Sequence, residues 1–173
     1  MKTKIISFIV TLAMLVLLTL NVSAEFATPV PPIGILTPED IAEFLAGYER
    51  ADIVVNGEVI ESPKAYMTAD GILMLPVRAI SEILGKQGFA TVPVEWFADT
   101  RTVQVGRFLS FTLDHDAYSF ARMAPVSLGA APVLKGSSTY VPVNLFAMLT
   151  GTDNIVWYLQ DNQLIIDIEI PAE

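Results

Sequence analysis

Hydrophobic and polar positions change period along the chain, and the changes mark its elements. Leu75-Pro76-Val77-Arg78-Ala79-Ile80-Ser81-Glu82-Ile83-Leu84-Gly85 reads as the end of a strand that runs through a proline into a helix closed by glycine. Proline fits the first helical position, where its missing amide hydrogen would have no partner, and glycine fits the stop because it takes left-handed backbone freely. The same order returns, degraded, as Val141-Pro142-Val143-Asn144-Leu145-Phe146-Ala147-Met148-Leu149-Thr150-Gly151. A tryptophan strand follows each copy, carrying Trp96 or Trp157, and a second strand returns beside it. The pattern predicts an internal duplication, with repeats at about 52–106 and 108–168 and an insertion of residues 86–91 in the first.

Shorter signals fill in the rest. Asn56-Gly57 separates the short segments 53–55 and 58–60, and both residues tolerate the positive φ that a type I′ hairpin turn needs. Residues 108–113 and 118–122 predict another hairpin around Asp114-His115-Asp116, and Asp161-Asn162 joins the last two strands. Further upstream, Thr37-Pro38-Glu39-Asp40 supplies the hydroxyl cap, proline and carboxylates of a helix start. That helix is expected to reach about Tyr48, with Ile41, Phe44 and Leu45 on one face. The fold class is α+β: pseudo-duplicated strand-helix-hairpin units, with mainly antiparallel strands, around a shared core.

Composition then bounds location and partners. Residues 1–24 have Lys2 and Lys4, an apolar run over 5–20, and small residues at Val22-Ser23-Ala24, the three parts of a secretory leader cleaved after Ala24. Residues 25–36, with Pro29, Pro31 and Pro32, read as an extended linker, residues 37–50 as the short helix and 51–170 as the domain. The expected location is outside the cell or at its envelope, without stable membrane insertion. The chain carries 10 basic and 19 acidic residues, a formal charge of −9, and loss of the leader removes two more lysines. Such a charge repels phosphates and argues against nucleic acid as a partner. The absence of cysteine excludes disulfides, thiolate metal sites and a cysteine nucleophile.

With Asn56-Gly57, the segment from Leu75 to Gly85, Trp96, and the weaker copy ending in Gly151 and Trp157, the chain resembles the copper amine oxidase N-terminal-like domain family over about 52–168. The arginine and glutamate of the helix signature are Arg78 and Glu82 in the first copy, replaced by Asn144 and Met148 in the second. The resemblance implies an exported bacterial α+β module. It does not imply the enzyme, whose copper takes three histidines and whose quinone is made from a tyrosine in an Asn-Tyr-acidic-Tyr segment. This chain has a single histidine and no such segment.

Candidate chemistry is sparse. His115 lies between two aspartates, but adjacent residues seldom converge on one ion, and a solvated turn is the better reading. No Gly-x-Ser-x-Gly elbow accompanies it. Arg78 and Glu82 are four apart on a helix and are expected to pair there. Alternation sends one member of each pair, Trp96-Phe97 and Trp157-Tyr158, inward; the tryptophans are expected as core anchors, while Phe97 and Tyr158 are as readily exposed as buried. The sequence thus points to an exported, non-catalytic binding or structural module that meets cell-wall polymer or another secreted protein, with no catalytic residue, metal or cofactor assigned. Candidate ligand contacts are Arg78, Trp96, Phe97, Trp157 and Tyr158; the insertion 86–91, the Arg78 face and the N-terminal helix are where local function is expected. The alternative is a small secreted hydrolase with an acidic cleft, including His115, between the repeats.

Overall fold

The computed structural model of the protein describes residues 38–152 and 154–169. The leader and linker read from residues 1–36, and the Thr37 cap, lie outside the described residues.

Helix α1 (Pro38–Arg50) leads into β1 (Asp52–Val55), which turns back as β2 (Glu58–Ile60). The short pair β3 (Tyr66–Met67) and β4 (Leu73–Pro76) feeds α2 (Val77–Lys86). A four-stranded meander follows, made of β5 (Val94–Phe97), β6 (Thr102–Val105), β7 (Leu109–Thr112) and β8 (Tyr118–Phe120). The chain finishes with β9 (Val133–Lys135), β10 (Ser138–Pro142), α3 (Leu145–Thr150), β11 (Ile155–Gln160) and β12 (Gln163–Ile168). These strands make three sheets, ordered β11-β12-β1-β2, β3-β4-β10-β9 and β5-β6-β7-β8. Among the described residues every strand pairing is antiparallel except β1 with β12, where Ile53 lies opposite Leu164 and Val55 opposite Ile166.

Alternation decides which side of each strand is buried. In the first sheet Leu159, Leu164, Ile53 and Ile60 lie side by side and face inward. On its other face Tyr158, Ile165, Val54 and Val59 form the matching row. One core takes residues from all three sheets and both later helices, including Ile53, Leu75, Ile80, Leu109 and Phe146. The two predicted turns hold: Asn56 and Gly57 have φ of 46° and 86°, and Asp161 and Asn162 have 51° and 61°.

Several boundaries differ from the sequence reading. Pro76 and Pro142 close their strands rather than opening helices; α2 begins at Val77 and α3 only at Leu145. Both prolines lie in the central pairing of the second sheet, with Met74 opposite Pro142 and Pro76 opposite Tyr140. Gly151 is the left-handed stop of α3, at φ 71°. Gly85 is not a stop: α2 runs on through Lys86, and a Cβ on Gly85 would stand 2.9 Å from a Val92 methyl. Its glycine serves close packing. In α1, Phe44 is exposed; Tyr48 turns inward instead and meets Trp157 edge to face at 6.1 Å between ring centroids.

Strand, helix and hairpin occur in that order twice, and β4 lies beside β10 with Leu75 opposite Val141. The hairpins then part: β5-β6 opens the meander, whereas β11-β12 joins β1.

Candidate functional site

The pairing of β4 with β10 brings the start of α2, strands β5 and β6, and the β9-β10 turn around one groove of about 370 Å³. Val77, Ala79, Val94, Val103 and Leu134 supply apolar lining; Arg78, Glu82, Glu95 and Ser137 supply polar lining. β5 ends one sheet and β9 ends another, so two strand edges that lack a neighbouring strand among the described residues border the groove.

Trp96 is 44% exposed in this groove, which corrects its expected place in the core. It lies opposite buried Val103, on the core-facing side of its sheet. But β5 is the edge strand, and there the groove rather than packed side chains meets the indole. Arg78 lines the same groove. It does not pair with Glu82: the ion pairs among the described residues are Lys64 with Asp52, Lys86 with Glu58 at 2.9 Å, and Arg101 with Asp114 at 2.6 Å.

The other candidates lie elsewhere. Phe97 follows Trp96 on β5 and is exposed without lining the groove. Trp157 is half-buried against the core and meets the buried Tyr48 edge to face, and Tyr158 points outward from β11, 42% exposed. The insertion 86–91 is stitched down. Thr91 Oγ1 donates to the Ser81 carbonyl at 2.7 Å, Phe89 packs on the core, and the Ala90 carbonyl presses so closely on Gly106 that a Cβ there would lie 2.0 Å away. It thus holds β5 near α2 instead of lining the groove. Nothing local in the sequence marks Leu134 and Ser137 for the groove; only the β4-β10 pairing carries their turn to Trp96.

The two aspartates beside His115 diverge. Asp114 takes Arg101, while Asp116 accepts from Ser127 Oγ at 2.5 Å, Leu128 N at 2.8 Å and Gly129 N at 3.1 Å. Burial pulls the Asp116 pKa up, but those hydrogen bonds outweigh it and hold the carboxyl below its ordinary value. His115 borders a more open hollow with Thr102, Ser110, Thr112 and Ser119, with no carboxylate in the lining. A single histidine whose acidic neighbours are engaged elsewhere does not fit a copper centre.

Among the described residues no three histidine, aspartate or glutamate side chains gather where they could hold a metal ion. Residues 54–166 match the family described as copper amine oxidase N-terminal domain. Over 98 residues, 55% of this chain, it is 33% identical to a Brevibacillus choshinensis protein described as a protease inhibitor, and it spans 28% of that protein's length. No solved structure was found to match. Because the family match takes in well over half of the chain, with α2, α3 and both tryptophan strands, the chain belongs to the copper amine oxidase N-terminal domain family.

Proposed function

We propose that the chain is an exported, non-catalytic binding module that works at the bacterial cell envelope or outside the cell, and that its groove receives an extended segment of another secreted protein. The observation that carries this reading is Trp96, 44% exposed in a groove bordered by two strand edges with no neighbouring strand among the described residues. Main-chain groups on such edges accept an added strand, while side-chain pockets select it, and an indole offers a large contact area that is already stiff. Glu82 and Glu95 in the lining, within a chain of charge −9, favour a segment with a basic residue. The relative described as a protease inhibitor supports a protein as the partner in preference to a glycan. The pattern of residues 1–24 supports export, and among the described residues no helix is long and apolar enough to cross a membrane. The hydrolase reading gains less support, because the His115 hollow is lined by hydroxyls without an acid.

The test is to probe an array of unbiased peptides with the purified protein, alongside cosedimentation with purified cell-wall sacculi. Peptide binding is expected to weaken about tenfold or more in Trp96→Ala and in Arg78→Ala, and to survive Tyr158→Ala. Retention on sacculi that ignores Trp96→Ala, with no peptide bound, would overturn the reading.

A further inference from the structure

Among the described residues, β11 is the strand that the fold leaves least protected. It ends its sheet, runs for six residues, and its sequence Ile155-Val156-Trp157-Tyr158-Leu159-Gln160 holds neither charge nor proline. An open strand edge presents unpaired amides and carbonyls to any passing strand, and proteins shield such edges with charge, proline, shortness or a cover. Each of the other end strands carries one of these features. β2 carries Glu58, and β5 and β9 carry Glu95 and Lys135, charges that leave the groove edges open to a segment of matching charge but not to any strand; β3 has two residues, and the edge of β8 is bridged by Val126 at Tyr118.

We infer that β11 pairs antiparallel with β11 of a second copy, about a twofold axis at Tyr158, to make one continuous eight-stranded sheet. Facing residues of an antiparallel pair share a face, so the axis falls on a residue and not between two. Placed at Tyr158, it sets Trp157 opposite Leu159 of the second copy on the inner face and Val156 opposite Gln160 on the outer. It also continues the outward row of Tyr158, Ile165, Val54 and Val59 straight into the same row of the second copy. Charge argues for the same meeting place. Two copies at −9 each repel over most of their surfaces, and β11 lets them approach with no carboxylate on the joining strands. The pairing is independent of the groove, whose residues belong to α2 and the other two sheets.

Sedimentation equilibrium of the purified protein from micromolar to hundred-micromolar concentration is expected to show a monomer–dimer equilibrium that added salt shifts toward dimer, because salt screens the repulsion. Tyr158→Lys sets two ammonium groups opposite each other and is expected to raise the dimer Kd about tenfold or more. Circular dichroism should not change, because Tyr158 is 42% exposed. The chain has no cysteine, so Tyr158→Cys places one thiol on the axis, at a spacing that suits a disulfide. Oxidation should link that variant into dimers and leave Val59→Cys, on the opposite edge strand, unlinked. A monomer at every concentration overturns the inference, as does a dimer that ignores Tyr158→Lys or that links equally through Val59→Cys. The peptide-array result for the groove is unaffected by either outcome.

Discussion

Asn56 and Ile168 bind each other twice: Asn56 Oδ1 accepts the Ile168 N–H at 2.8 Å, and Asn56 Nδ2 donates to the Ile168 carbonyl at 3.1 Å. The residues are 112 positions apart, so a side chain in the first hairpin turn acts as an extra rung for the last strand. Nδ2 also donates to Gln87 Oε1 at 2.9 Å, just past the end of α2. Replacement by glycine keeps the backbone conformation and removes all three bonds. Asn56→Gly is expected to cost about 1–3 kcal/mol in urea unfolding, with an unchanged m value.

Ser81 and Thr91 separate a wasted hydroxyl from a used one. Ser81 Oγ is buried without a partner among the described residues, while Thr91 Oγ1 donates to the Ser81 carbonyl. Ser81→Ala is therefore expected to be neutral or to stabilise by up to about 1 kcal/mol, since alanine also favours helix. Thr91→Val should destabilise by about 1 kcal/mol or more. Thermal midpoints of the two variants should move in opposite directions or differ clearly.

Gly106→Ala tests the clamp between the insertion and β6. The added methyl meets the Ala90 carbonyl oxygen at 2.0 Å, at a backbone φ of 58° that side chains disfavour. The expected loss is about 3 kcal/mol or more, read as a lower urea midpoint.

The twin tryptophans should part in stability measurements. Trp96 stands in an open groove, and Trp157 is half-buried against the core and the buried Tyr48. Trp96→Ala should cost about 1 kcal/mol or less, and Trp157→Ala about 2–3 kcal/mol, because only the second leaves a cavity. A larger loss for Trp96→Ala would place that indole in the core.

Stability should fall on both sides of neutrality, for different residues. Tyr118 donates its hydroxyl to the Ala130 carbonyl at 2.8 Å, and burial, then the nearby Asp116 and Tyr66, push its pKa far above 10.0. Burial raises Tyr48, Tyr66 and Tyr140 as well. Unfolded tyrosines ionise first, so stability is complete below about pH 10 and is lost as pH rises above it. Asp116 is the reverse case. Its folded pKa is depressed, so its contribution is present above its ordinary 3.8 and is lost as pH falls through the lower folded value. Urea midpoints against pH should show Tyr118→Phe softening the alkaline flank and Asp116→Asn softening the acid flank.

Local chemistry was the legible part of the fold. Asn56-Gly57 and Asp161-Asn162 announced their turns because few residue pairs accept positive φ, and Gly151 announced a helix end for the same reason. Pro76 misled because proline fits a strand end as well as a helix start, and a chain does not say which neighbour lies beside it. Gly85 misled because a glycine needed for contact with Val92 looks the same in sequence as one needed for a turn. β3 and β9 are too short to leave a periodic trace. The site was half legible: Arg78 and Trp96 stood out as residue types, but alternation alone sent Trp96 inward, since the outcome depended on β5 being an edge. The partnership with Leu134 and Ser137 arises from a pairing between distant segments, for which nothing local codes.

The single parallel contact, β1 beside β12, has a consequence in time. β1 is synthesised well before β12, so Ile53, Val54 and Val55 wait for residues 163–168 before their second neighbour exists. Strand β12 is the clock of this sheet. Until it emerges, the first sheet is a lone two-stranded hairpin, which is marginal in water, and a chain stopped at residue 162 would lose the middle of that sheet rather than its rim.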